Sequence, residues 1–155
     1  MTDQVTAEDI LAVKGGDLLS VQEDATIGEA LEVMVGGKVG SILVREGSRI
    51  VGIYTERDLM RNSIDTGFDP RRERIGDHMT RGLKFAPHTD TAYELMDKFL
   101  GLRIRHLLID KHDRFIGLLS VGDVIKAALQ ARTDELEELE AIAKWEYYEE
   151  WKPRR

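Results

Sequence analysis

The sequence holds no cysteine, so disulfides, thiolate metal sites and cysteine nucleophiles are excluded and a reducing compartment is compatible with it. No apolar run is long enough to cross a bilayer. Residues 1–10 carry acidic side chains and lack the basic start and apolar core of a secretory signal, so the expected location is the cytoplasm. Positive charge is not in excess either: 22 Lys and Arg stand against 29 Asp and Glu, a formal net charge of −7. Non-specific binding to nucleic acid needs a basic footprint that displaces counterions, so nucleic acid is disfavoured as a partner, and no membrane association is expected. Catalytic signatures are lacking as well. The four histidines, His78, His88, His106 and His112, do not have the spacing of a metal-binding helix or knuckle. There is no Walker loop, nucleophile elbow or Gly-x-Gly-x-x-Gly after a strand. Neither an enzyme, a catalytic cofactor nor a metal is expected.

What is present is an internal repeat. Gly52 within Ile50–Thr55 aligns with Gly117 within Phe115–Ser120, 65 positions later. The same offset, without a gap, pairs Thr26 with Thr91, Glu29 with Glu94, Met34 with Phe99, Val39 with Ile104 and Asp58 with Asp123. Composition agrees with one folded unit, internally duplicated: 42% of the 155 residues are hydrophobic and 33% charged.

Each copy carries the same local signals. Thr26-x-x-Glu29 and Thr91-x-x-Glu94 are capping boxes that open a helix. Ile27, Ala30, Leu31, Met34 and Val35, like Ala92, Leu95, Met96 and Phe99, recur at helical spacing and bury one face. Gly36-Gly37 and Gly101 are expected to end these helices. Paired apolar runs follow, 41–44 with 50–54 and 107–109 with 115–119, and predict two hairpins. A second helix closes each copy, from about Glu56 to Asn62 and from Val121 onward, and short leading strands are expected at 18–21 and 83–86. The fold class is therefore α/β (α+β): two β-α-β-β-α units packed as a pair, because one such unit cannot cover both faces of its sheet. The expected organisation is a lead-in at 1–17, repeat one at 18–63, a linker at 64–76, repeat two at 77–131 and a helical extension at 132–155. The linker, with Asp69-Pro70 and the Arg71-Arg72-Glu73-Arg74 cluster, reads as exposed and solvated.

The residues Gly40 to Val44 through Val51 to Asp58, together with Asp77-His78-Met79-Thr80, Arg103 to Leu107 and Gly117 to Val124, resemble the CBS-domain pair, or Bateman module, of the small stand-alone type. The resemblance spans about residues 13–131. Leu108 and Val44 depart mildly from it, since the family often has proline after the His-Leu pair of the second motif.

The pairs Thr55-x-x-Asp58 and Ser120-x-x-Asp123 carry the chemistry of interest. Each is a helix cap in its own right. The same geometry offers free amides to phosphate and a carboxylate to the two hydroxyls of a ribose. The resemblance implies Asp58 and Asp123 as ribose ligands in two related clefts, with Thr55 and Ser120 beside ribose or phosphate. It also implies phosphate contact for Arg57 and Arg105. Basic groups are distributed unequally: Gly122 replaces Arg57 in the second copy, and Arg105-His106 replaces Gly40-Ser41. Adenine needs an apolar slot, for which Ile42, Val21, Leu107 and Met79 are candidate walls, although each reads first as plain core.

Beyond the second repeat, Leu129, Leu136, Leu139, Ala143 and Tyr147 fall on one stripe of an extended helix, and Trp145, Tyr148 and Trp151 lie nearby. The stripe covers either the module's own core or a partner, and stand-alone members of the family commonly form homodimers. The expected function is a regulatory module that binds an adenine nucleotide (AMP, with ATP or NAD(H) as alternatives) and passes its state to a regulated protein. The rival is a constitutive dimerisation unit with vestigial clefts.

Overall fold

The repeat folds twice into the same unit. The computed structural model describes residues 4–15 and 18–143. Helix α1 (Ala7–Lys14) leads into β1 (Ser20–Gln22), α2 (Ile27–Gly37), β2 (Ser41–Glu46), β3 (Arg49–Thr55) and α3 (Glu56–Asn62). After a 3-10 turn at Ile75–Asp77 come β4 (Phe85–Pro87), α4 (Ala92–Leu102), β5 (His106–Lys111), β6 (Arg114–Ser120) and α5 (Val121–Ala143). Among the described residues no helix is long and apolar enough to cross a membrane.

Each copy forms a three-stranded sheet, β1-β2-β3 and β4-β5-β6, parallel across the first pair and antiparallel across the hairpin. Both hairpins shift register at the same place, between Val44 and Arg45 and between Ile109 and Asp110, so even the irregularity is duplicated. The second hairpin turns on His112 and Asp113 with φ of 51° and 60°, left-handed backbone that two-residue hairpin loops demand.

Thr26 and Thr91 cap α2 and α4 as their sequence requires, with Glu29 and Glu94 returning the bond. The glycines do not end these helices. Gly36, Gly37 and Gly101 lie inside them, and the left-handed C-terminal positions are taken by Lys38 and Arg103. Gly37 answers to packing instead: a Cβ there would collide with Leu19.

The core has three parts. One lies under α2 and contains Ile27, Ala30, Met34, Ile42, Val44 and Tyr54; its counterpart under α4 contains Leu95, Phe99, Leu107, Ile109 and Leu119. Between them Leu43 and Ile53 of one sheet meet Leu108 and Leu118 of the other. Leu108 also donates its backbone N–H to the Lys84 carbonyl at 3.0 Å, a bond that a proline could not make.

The linker is not free. Residues 64–67 are exposed, but Ile75 is fully buried, and Ile27 and Gly28 donate to the Glu73 and Pro70 carbonyls at 2.9 and 2.7 Å. Burying Ile75 is worth about 1.5–3 kcal/mol, which a solvated linker would forgo. The lead-in behaves in the mirrored way. Ala7 and Ile10 of α1 enter the core of the second repeat, and Ala7 donates to the Asp90 carbonyl at 2.7 Å. Each repeat is thus completed by the segment preceding the other's first strand. Helix α5 buries Val124 and packs on α4 and α1, while Leu129, the first residue of the stripe that leads into the extension, is exposed. Trp145, Tyr147, Tyr148 and Trp151 lie outside the described residues.

Candidate functional site

The hairpin register places the two motifs at one end of the molecule. Ser41 pairs with Thr55 on the first sheet and His106 with Ser120 on the second, each at the strand end from which a helix departs. Glu56 at the start of α3 donates to the Gly40 carbonyl at 3.0 Å, and Val121 at the start of α5 to the Arg105 carbonyl at 3.0 Å. These bonds bring the unequal pairs Gly40-Ser41 and Arg105-His106 beside the two acids.

Both acids serve as caps. Asp58 Oδ2 accepts from the Thr55 amide at 2.9 Å and from its hydroxyl at 3.0 Å, leaving Oδ1 with only Arg61 at 3.8 Å. Asp123 Oδ2 accepts from the Ser120 amide at 2.8 Å, and the Asp123 amide donates to the Ser120 hydroxyl at 3.1 Å as that of Asp58 does to Thr55 at 3.4 Å. The Lys14 ammonium, arriving from α1, donates to Asp123 Oδ2 at 2.8 Å and to the Leu118 carbonyl at 2.9 Å. Burial pushes the Asp123 carboxyl upward, but the bonds from Lys14 and Ser120 outweigh it and leave it below the ordinary 3.8. The half-buried His106 ring is held below its usual value, first by burial and then by the Lys14 charge, so it stands neutral near pH 7.

An open cleft of about 890 Å³ runs between the repeats, and Thr55, Asp58, Ser120 and Asp123 all line it, with Ser41, Arg57, Arg105 and His106. The two helix starts that the resemblance assigned to two related clefts both open onto this space. The candidate adenine walls do not line this space, in keeping with the plain-core reading of each. Ile42 and Leu107 lie in the closed cores under the helices, Met79 is buried against Gly52, and Val21 packs on the first core. The strand alternation explains this: Ser41 and Leu43 share one face, so Ile42 points to the other. The apolar wall is made instead by Leu43, Ile53, Leu108 and Leu118, with Leu11, Leu18 and Leu19. Gly122 is exposed and does not line the cleft.

Sequence reasoning missed the cations. Lys14, Arg61, Arg81, Lys84 and Arg103 join Arg57 and Arg105 around the cleft. Among the described residues Arg57, Arg81, Lys84, Arg103 and Arg105 make no ion pair, in a chain whose net charge is −7. Arg61 was findable, lying one helical turn beyond Asp58 and Arg57 on α3. Lys14, Arg81 and Lys84 sit in lead segments whose docking no periodicity announces.

The CBS domain family model matches residues 7–65 and 75–130, so each match begins with the segment that crosses to the other repeat. The mitochondrial CBS domain-containing protein CBSX3 of Arabidopsis thaliana is 31% identical over 94% of this chain and 75% of its own length. Among solved structures, the CBS-domain containing protein ATU1752 of Agrobacterium tumefaciens superposes with a TM-score of 0.73 at 32% identity, over 80% of this chain and 99% of that one. The CBS domain protein PAE2072 of Pyrobaculum aerophilum, solved in complex with AMP, gives 0.64 at 22% identity over 77% and 89% of the two chains.

Proposed function

The chain belongs to the CBS-domain family, with two tandem copies of the domain, and from that premise we propose that it is a regulatory module that binds an adenine nucleotide, AMP foremost, in the cleft between its repeats. One observation carries the reading: carboxylates suited to a ribose diol and five cations without ion pairs converge on one apolar-walled space in an otherwise acidic protein. A nucleotide asks for those three things together: acceptors for vicinal hydroxyls, positive charge for phosphate and an apolar slot for the base. The AMP complex of the Pyrobaculum relative agrees with this choice. ATP or NAD(H) would draw on more of the cationic set.

Regulation follows if the nucleotide prefers one arrangement of the repeats, since a ligand shifts only what it binds unequally. The readout surface is the helical exterior, where Val35, Met60, Tyr93, Leu100 and Leu129 are exposed. We assign that surface to a homodimer whose geometry a regulated protein senses.

Calorimetric titration with AMP, ATP and NADH tests the binding step. Heat and a thermal shift with at least one of them are expected. Silence toward all three at millimolar concentration removes the proposal and leaves constitutive dimerisation, which light scattering would register unchanged by nucleotide.

A further inference from the structure

The two repeats treat equivalent acceptors differently. Ile53 and Leu118 occupy the same repeat position, and both carbonyls face a lead segment. At Ile53 that segment is extended, and the Thr80 backbone N–H takes the carbonyl at 2.8 Å, while Thr80 accepts from Ile53 at 3.1 Å. At Leu118 the lead segment is the last turn of α1, and the Lys14 side chain takes the carbonyl instead. A backbone bridge satisfies the strand and goes no further. An ammonium has three donors, and one of those of Lys14 reaches Asp123 Oδ2. Among the described residues nothing comparable reaches Asp58, where Arg61 stands at 3.8 Å, beyond hydrogen-bond range, on a side chain 71% exposed. Past Thr80 the chain continues through Arg81 to Gly82, which carries no side chain at all.

A ribose diol and an ammonium are both donors, and they compete for the same carboxylate. We propose that Lys14 is a specificity-determining residue of the cleft: its ammonium holds Asp123 Oδ2, one of the two oxygens that a ribose diol would take, and neutralises the carboxylate, so that, on the nucleotide reading above, the wild-type chain seats its nucleoside at Asp58 alone. The asymmetry comes from the lead segments, one helical and one extended, and not from the paired motifs, which are alike. The Lys14 contact also ties α1 to this side of the cleft, so a second nucleoside engages Asp123 only by displacing that ammonium.

The test is AMP titration by calorimetry on the full chain and on Lys14→Met, which keeps the aliphatic length and removes the donors. Wild type is expected to bind one AMP per chain, weakened at least about tenfold by Asp58→Asn, as loss of a charged hydrogen bond requires. Lys14→Met is expected to bind two, and Asp58→Asn in that background to leave one. Two comparable sites in wild type would overturn the proposal. So would a Lys14→Met variant that still binds one AMP, whether with unchanged affinity or more weakly, the latter making Lys14 a phosphate ligand. If neither protein binds AMP, ATP or NADH, the nucleotide reading itself falls and this inference goes with it, an outcome distinct from a wrong stoichiometry.

Discussion

Leu11 lies directly over Gly117: a Cβ on that glycine would stand 2.5 Å from Leu11 Cδ2 and 2.9 Å from Cδ1. Met79 covers Gly52 in the same manner in the other repeat. These glycines, the first two residues that align in the duplicated sequence, are the seats on which the exchanged lead segments rest.

Gly117→Ala is therefore expected to destabilise the protein by about 1–3 kcal/mol, the usual cost of forcing a methyl into a packed site. Urea unfolding measures it. Combining it with Leu11→Ala should cost less than the two singles added together, because the same contact is being relieved. Strict additivity would show that Leu11 does not rest there.

Asp58→Ala should weaken nucleotide binding by about 1–3 kcal/mol in calorimetry. It also removes a helix cap worth about 1 kcal/mol, so part of any loss of stability is structural. Asp58→Asn separates the two effects, because its amide oxygen can still accept from the Thr55 amide while the charge is gone. Binding as strong in Asp58→Asn as in wild type would show that the carboxylate charge takes no part in it.

The buried Tyr54 hydroxyl donates to Asn62 at 2.8 Å, and burial together with the Asp58 charge pushes its pKa up to about 12 from 10. The folded state resists ionising this phenol, so its contribution is whole below pH 10 and drains as pH rises toward 12. Tyr54→Phe should begin about 0.5–1.5 kcal/mol less stable, through the lost hydrogen bond, and should lack that alkaline decline. Denaturant titrations between pH 8 and about 12 would reveal equal slopes if the phenol has no part in it.

At the acid end the sign reverses. Asp123 is held below 3.8, so its pairing stabilises the fold at neutral pH, and that benefit is lost as pH falls through its lowered folded value. Lys14→Met abolishes the leading cause of the lowering. The stability gap between wild type and variant should be widest near neutrality and should close below the ordinary carboxylate range. A gap that stays constant down to low pH would mean that Lys14 acts through packing alone.

Much of this was legible beforehand because local signals were strong. Thr26-x-x-Glu29 and Thr91-x-x-Glu94 start helices wherever they occur, and the Gly52 and Gly117 runs kept hairpin register across the repeat. The face of a strand was harder to read. In a run buried on both sides, such as Ile42-Leu43-Val44, no polar alternation separates residues under the helix from residues facing the cleft. Lys14 was out of reach for a different reason. Its partner lies 109 residues away, and the contact depends on where α1 docks, which is settled by Ala7 and Ile10 entering a core built by later strands. Asp69-Pro70 and the arginines of the linker are polar and gave no sign that Ile75 just beyond them is fully buried and that Phe68 packs against the first core.

The exchange of lead segments also orders events in time. A chain made from its N-terminus completes α1 long before Ala86, Leu95 and Ile109, the side chains against which Ala7 and Ile10 pack. The first repeat, for its part, cannot close until Ile75 and Met79 have followed. The amphipathic start of the chain must wait, unsatisfied, through the synthesis of nearly everything between. Folding of the second half is then a capture of the earlier-made helix by the later-made sheet, a long-range step slower than the local hairpins it joins.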